Sequence, residues 1–110
     1  MADTDSGNSD EIVELGGNIE LSGFRDVDGG TMIILKKIVG NYVKQFSERV
    51  DGFERLQLNM KDVHKTEGSV KYSISANLIV NGKTHNAELT DRNIFTTIDK
   101  VLKKVESGIK

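Results

Sequence analysis

The sequence predicts a two-layer α+β domain in which two helices cover one face of an antiparallel-rich β-sheet. Two segments repeat apolar residues at the spacing of one buried helical stripe, and four segments alternate apolar and polar residues as half-buried strands do. Their order along the chain is β-α-β-β-β-α. Because each element leaves one apolar face to bury, two packed layers are the expected arrangement.

The predicted order begins with a short strand and a long helix. Residues 18–24 form the strand, because Ile19 and Leu21 alternate with polar neighbours. Residues 32–50 form the helix, with Thr31 as the expected N-cap. One stripe of this helix is expected to face the core: Leu35, Ile38, Val39, Tyr42, Val43 and Phe46.

The middle of the chain predicts three successive strands, at residues 55–63, 69–80 and 83–89. Asn81-Gly82 joins the last two, since both residues tolerate the positive φ of a type I′ hairpin turn. A second helix then follows an N-cap at Thr90 or Asp91. Its apolar stripe comprises Ile94, Phe95, Ile98, Val101, Leu102, Val105 and Ile109.

Charge divides the chain into a leader and a body. Residues 1–17 carry five acidic residues and no Lys or Arg, so we expect a flexible acidic leader there and a single domain over residues 18–110. The body holds the other 12 acidic residues and all 15 basic ones, a net charge of about +3. This balance is compatible with binding to nucleic acid but does not require it.

Residue content removes several kinds of active site. The absence of Cys excludes thiolate chemistry, disulfides and Cys-ligated metals, and His64 and His85 lack the spacing of paired metal ligands. A turn followed by an N-cap explains residues 28–31, and a solvated rim explains Glu88 and Asp91. We therefore expect a binding protein that is not an enzyme and uses no cofactor and no metal.

The start of the sequence is acidic, unlike a secretory signal, and no stretch approaches the roughly 18–20 apolar residues of a membrane span. We expect a cytoplasmic protein with no membrane partner.

Lysines are the most informative polar residues. Lys37 and Lys44 share one side of the first predicted helix, and Lys100 and Lys104 share one side of the second. If the helices pack side by side, these side chains project outward together and can follow phosphates without reading bases. A lysine-rich face that only keeps the domain in solution is the competing interpretation.

Two stretches carry a family resemblance. The end of the chain, NAELTDRNIFTTIDKVLKKVESGIK, resembles the end of the ribosome hibernation-promoting factor family, also called the ribosome-associated inhibitor or protein Y family. The matching positions include Asp91, Phe95, Ile98 and Asp99. The segments NIELSG and KKIVGNYVKQFSE resemble the family's opening strand and helix. The resemblance covers roughly residues 18–110.

This resemblance implies a β-α-β-β-β-α domain that binds the small ribosomal subunit and inhibits translation, as part of a stress response. It implies that lysines on the two helices meet ribosomal RNA. The corresponding residues here are Lys36, Lys37, Lys44, Lys100, Lys103 and Lys104.

A protein-interaction module with no role in nucleic-acid binding is the alternative. The polar sheet face carries Gln57, Asn59, Ser73, Ser75 and Asn77, and an edge strand can pair with another chain to give a homodimer. An enzyme is the least expected class, because no convergent polar pocket is evident in the sequence.

Overall fold

A computed structural model describes residues 12–14 and 18–109 of the chain. Seven elements follow one another. They are β1 (Ile12–Glu14), β2 (Ile19–Ser22), α1 (Gly29–Arg49), β3 (Phe53–Thr66), β4 (Ser69–Val80), β5 (Lys83–Asp91) and α2 (Ile94–Ser107). The predicted fold class and the β-α-β-β-β-α order are confirmed. A short strand, β1, precedes that order and lies within the segment predicted as a flexible leader; residues 1–11 and 15–17 of that segment lie outside the described residues.

The five strands form one sheet in the order β1-β2-β3-β4-β5. Every neighbouring pair is antiparallel except β2 and β3, which run parallel with Ile19 opposite Leu56 and Leu21 opposite Leu58. Parallel neighbours need a crossover connection, and α1 supplies it. The sheet is therefore mixed, with α1 spanning its one parallel junction.

Alternation along the strands decides which face of the sheet is buried. Leu56 and Leu58 on β3 face Leu78 and Ala76 on β4, and all four are almost fully buried. The helices close this face with one residue every three or four positions: Leu35, Val39, Val43 and Phe46 from α1, and Ile94, Ile98, Val101, Leu102 and Val105 from α2. The predicted core stripes are thus largely confirmed, with Ile38, Tyr42, Phe95 and Ile109 only partly buried at its margin.

The Asn81-Gly82 hairpin forms as predicted. Asn81 has φ 51° and Gly82 has φ 78°, so both residues adopt the left-handed backbone of a type I′ turn. The turn is tied to the start of β3, since the Asn81 N–H donates to the Gly52 carbonyl at 2.9 Å and the Gly82 N–H donates to Glu54 at 2.7 Å. This end of the sheet is held by side chains as well as by the ladder.

Both predicted helix caps are wrong by a few residues. α1 begins at Gly29, and its N-cap is Asp28, whose carboxylate accepts from the Thr31 N–H at 3.1 Å. α2 is capped by Asn93, whose side chain accepts from the Thr96 N–H at 2.9 Å. In each case a short polar residue lies three positions before the free N–H that it caps. The end of β5 also differs from the prediction, because this strand extends through Asp91 instead of ending at residue 89.

Candidate nucleic-acid interface

The two helices lie side by side, and one hydrogen bond shows which sides meet. The Tyr42 hydroxyl on α1 donates to the Asp99 carboxylate on α2 at 2.5 Å. α2 packs on β4 and β5, whereas α1 contacts β3. Seen from the solvent, α1 therefore covers the β2–β3 side of the sheet and α2 covers the β4–β5 side.

Charge and burial keep the Tyr42 hydroxyl protonated and the Asp99 carboxyl ionised. The hydrogen bond from Tyr42 is the main cause that lowers the pKa of Asp99, and Lys103 lowers it further, against a smaller effect of burial. Burial, followed by the hydrogen bond to Asp99, raises the pKa of Tyr42. At neutral pH Tyr42 is thus a neutral donor and Asp99 an ionised acceptor.

The six predicted lysines are all exposed, but the structure does not gather them into one cluster. Lys37 and Lys44 lie roughly 140–160° around the α1 axis from the fully buried Val39, so they point away from the sheet. Lys100 and Lys103 stand in the same relation to the buried Ile98 on α2. We call the surface formed by Lys37, Lys44, Lys100 and Lys103 the outer helical surface.

The remaining two lysines lie on opposite flanks of the helical layer. Lys36 is roughly 120° around α1 from Tyr42, on the side turned away from α2. Lys104 lies over β5, where its ammonium donates to the Glu88 carbonyl at 3.2 Å. A ligand that contacted both would have to extend across the full width of the two helices.

Two of the three lysines of α2 have carboxylate partners, whereas no described carboxylate pairs with a lysine of α1. Lys103 pairs with Asp99 at 3.2 Å and Lys100 pairs with Asp91 at 3.5 Å. The Arg92 N–H is the first cause that lowers the pKa of Asp91, and Lys100 adds to the effect. Among residues 18–61 and 65–109, no ion pair engages a lysine of α1. The α1 cations are therefore the more available ones within the described part of the chain.

A shallow groove runs between the helices beside these lysines, with a volume of about 580 Å³. Its walls mix cationic, amide and acidic side chains: Ile38, Asn41, Tyr42, Gln45, Arg49, Asp99, Lys103 and Glu106. Sequence reasoning missed Arg49 and the Tyr42–Asp99 contact. The sequence contained one indication of the Tyr42–Asp99 contact. Tyr42 lies in an aliphatic helical stripe, and a partly buried hydroxyl needs a hydrogen-bond partner.

Two exposed apolar side chains extend the outer helical surface towards the start of α1. Ile33 is 59% exposed and Ile34 is 48% exposed, one turn before Lys37. Neither isoleucine was assigned a function from the sequence. These two isoleucines give the start of the outer helical surface an apolar character.

The other sequence candidates have local structural explanations. Asp28 lies at the N-terminus of α1, and its carboxylate uses the Thr31 hydroxyl and N–H, which lower its pKa. Glu88 pairs with Lys61 on the open face of the sheet. In the described part of the chain, no group of three or more His, Asp or Glu side chains is placed to hold a metal ion. Neither α1 nor α2 has the length and hydropathy of a membrane span.

Comparison with known proteins is informative at the level of fold. No protein-family model and no curated protein sequence matches the chain. A solved structure shares the fold. It is a ribosomal subunit interface protein from Coxiella burnetii, with a TM-score of 0.57 and 18% sequence identity over 83% of this chain and 89% of the other.

Proposed function

We propose that this chain binds the small ribosomal subunit and inhibits translation, with the lysines of α1 and α2 contacting ribosomal RNA. The observation that carries the proposal is the fold shared with a ribosomal subunit interface protein. The described domain presents Lys37, Lys44, Lys100 and Lys103 on the same surface, away from the sheet. Such a surface suits the repeating phosphates of folded RNA.

The chemistry of the surface supports backbone contact more than base recognition. Lysine ammonium groups act as point charges towards phosphate. Base stacking needs exposed aromatic side chains, and the aromatic residues of the helices, Tyr42, Phe46 and Phe95, are at least partly buried. Ile33 and Ile34 offer apolar contact at one end. We therefore expect binding that depends steeply on salt and weakly on RNA sequence.

Co-sedimentation with purified small subunits tests the proposal. We expect binding at about 50 mM salt that weakens at least tenfold by about 200 mM. The double variants Lys37→Ala/Lys44→Ala and Lys100→Ala/Lys103→Ala should each weaken binding. Each should also make the dependence on salt less steep, with the negative slope of log affinity against log salt reduced in size by roughly one to two. In a cell-free system, the unchanged chain should reduce translation and the two variants should reduce it less.

A control variant with the same change in net charge distinguishes an effect of the outer helical surface from an effect of net charge alone. Lys61→Ala/Lys71→Ala removes two exposed lysines from the open face of the sheet, opposite the helices. It should bind subunits as tightly as the unchanged chain. Equal losses in all three double variants, or no co-sedimentation at low salt, would overturn the proposal.

Self-association through a sheet edge is the second candidate, favoured by the position of β5 at one end of the described sheet. An edge strand offers unpaired backbone groups to a second copy. One of the carbonyls of β5, that of Glu88, already accepts from Lys104. Light scattering decides the matter: a concentration-independent monomer mass excludes the homodimer, and a dimer without ribosome binding favours it over the first proposal.

A further inference from the structure

The outer side of β5 presents a row of backbone groups that no described strand pairs with, because β5 lies at one end of the described sheet. The type I′ turn at Asn81-Gly82 makes Val80 and Lys83 a hydrogen-bonded pair. The direction of the N–H and C=O groups alternates along an antiparallel strand, so residue 84 and every second residue after it direct theirs away from β4. These outward residues are Thr84, Asn86, Glu88 and Thr90.

One hydrogen bond agrees with this alternation. The Lys104 ammonium reaches the edge from α2 and donates to the Glu88 carbonyl at 3.2 Å, and this carbonyl is one of those directed away from β4. Among the described residues, no other hydrogen bond reaches an outward backbone group of β5. At the opposite edge β1 has only three residues, so β5, with nine, offers the longer edge to another strand.

Two lysines beside this edge have no ion pair with a described carboxylate. Lys83 is exposed and lies on the helix-covered face of the sheet, since its partner across the ladder is the buried Val80. Lys104 is exposed on the same face and engages the Glu88 carbonyl, which is uncharged. The helix side of the edge therefore carries positive charge that the described carboxylates leave unneutralised.

The acidic residues of β5 do not neutralise these two lysines, because each already has another cationic partner. Glu88 pairs with Lys61, and Asp91 pairs with Lys100. We infer that β5 is the docking edge for an extended acidic segment of a partner protein, which adds to the sheet as a strand antiparallel to β5. The inference does not rest on the proposed function.

The spacing along β5 suits acidic residues at alternate positions of the docked strand. Lys83 and Glu88 are five residues apart, roughly 17 Å at 3.4 Å per residue. Alternate side chains of a strand lie on one face about 7 Å apart, so glutamates on the helix side come within reach of both Lys83 and Lys104. On the open face, three of the four outward residues are uncharged, which suits uncharged polar side chains in the docked strand.

Lys104 can exchange its partner when the acidic strand docks. In the free chain its ammonium donates to the Glu88 carbonyl. A carboxylate of the docked strand takes the place of this carbonyl, and the carbonyl then accepts from an N–H of the docked strand. Because a hydrogen bond between two charged groups is stronger than one to a neutral carbonyl, the exchange favours an acidic strand over a neutral one.

A second copy of this chain is a poorer occupant of the edge. Two β5 strands paired about their midpoint, Ala87, would carry their helices on the same face and bring the two Lys104 ammonium groups together. Like charges at that distance repel. Folded RNA is a poorer match as well, because its phosphates accept hydrogen bonds but have none to donate to the outward carbonyls.

Amide hydrogen exchange, followed by NMR, tests the docking edge directly. The probe is a nine-residue peptide with blocked ends that alternates threonine with glutamate, added to the full chain at about 50 mM salt. Exchange at Thr84, Asn86, Glu88 and Thr90 should slow several-fold, because their outward N–H groups gain acceptors. Exchange at residues 36–44 of α1 should not change. Slowed exchange confined to α1, or none at all, would refute the inference.

Methylation of the peptide nitrogens tests whether the backbone pairs. In the antiparallel arrangement the N–H groups of the threonines face β5, and those of the glutamates face away from it. N-methylation of the threonines should therefore abolish the slowed exchange, and N-methylation of the glutamates should preserve it. Slowed exchange that survives methylation of the threonines would overturn the inference, because charge alone would then hold the peptide.

Substitutions test the two lysines. Lys83→Ala/Lys104→Ala should weaken peptide binding, measured by fluorescence anisotropy, roughly three- to tenfold. Lys83→Arg/Lys104→Arg should retain most of the binding. Lys37→Ala/Lys44→Ala makes the same change in net charge on α1 and should bind the peptide as tightly as the unchanged chain. Equal losses in the two alanine variants would contradict a site at β5.

Measurements without the peptide and with purified small subunits separate the remaining possibilities. Slowed exchange at the outward residues that grows with protein concentration in the absence of peptide would assign the edge to a second copy and refute the inference. Slowed exchange on addition of peptide, without subunit binding, sustains the inference and refutes the proposed function. Subunit binding without slowed exchange on addition of peptide refutes the inference alone.

Discussion

Tyr42 and Asp99 are joined across the two helices by a hydrogen bond of 2.5 Å from the phenol hydroxyl to the carboxylate. Tyr42 also stacks at a tilt on the buried Phe46, with ring centroids 6.0 Å apart. Asp99 in turn pairs with Lys103. One contact therefore connects the apolar core, the interface between the helices and a lysine of the outer helical surface.

Removing the phenol hydroxyl should destabilise the domain modestly. Tyr42→Phe keeps the ring against Phe46 but loses the hydrogen bond, so we expect a loss of about 1 kcal/mol in the free energy of unfolding in urea. Asp99→Asn should cost a similar amount. If the two groups act as a pair, the double variant should cost clearly less than the sum of the two losses, whereas additive losses would show that they act independently.

Stability should fall in acid partly through Asp99. Its pKa is lowered in the folded state, so the carboxylate stabilises the fold above the unfolded pKa of about 3.9 and loses that contribution as pH falls through the folded value. Tyr42→Phe removes the main cause of the shift. Urea midpoints of the two proteins should therefore differ at pH 6, and the difference should shrink as the pH falls below the unfolded pKa of about 3.9; a difference that stays constant would contradict the assignment.

Two glycines should respond to alanine in opposite directions. Gly23 has φ +79°, and a Cβ there would collide with the Met60 carbonyl, so Gly23→Ala should destabilise by about 2 kcal/mol or more. Gly40 is exposed in the middle of α1 with open space around it, so Gly40→Ala should stabilise by about 0.5–1 kcal/mol. Thermal unfolding of both variants checks the pair.

The cap of α2 can be assigned by substitution. Asn93→Ala should cost about 1 kcal/mol, because the Thr96 N–H loses its acceptor, and Asn93→Asp should restore most of that loss. Thr90→Ala should cost less, since the Thr90 hydroxyl meets only that of Ser73 on the open sheet face. A larger effect at Thr90 than at Asn93 would return the cap to the position that the sequence suggested.

Local patterns in the sequence were sufficient for most of the fold. The Asn81-Gly82 turn and the alternation of Ile74, Ala76 and Leu78 depend on neighbouring residues, so β4 matches its predicted bounds. The caps were missed because several short polar residues precede each helix, and only the folded backbone shows which one reaches the free N–H.

Relationships between distant segments could not be predicted in the same way. The parallel pairing of β2 with β3 and the partner of Tyr42 depend on how separate elements meet in space. Periodicity identified the lysines as exposed, but it could not show that Lys36 and Lys104 lie on opposite flanks. It also could not show that carboxylates and a carbonyl engage the α2 lysines. Whether all six contact RNA stays a prediction.

The parallel junction between β2 and β3 has a consequence for the order in which the domain assembles. The Gln57 side chain donates a hydrogen bond to Glu20, which lies 37 residues earlier in the chain. The Asn86 side chain donates one to Asn77, which lies only nine residues earlier. Closing the longer loop costs more entropy, so the β3–β4–β5 meander should form early and β2 should dock late. The N-terminal strands would then be the last part of the sheet to form and, by the same reasoning, the first to open in hydrogen exchange.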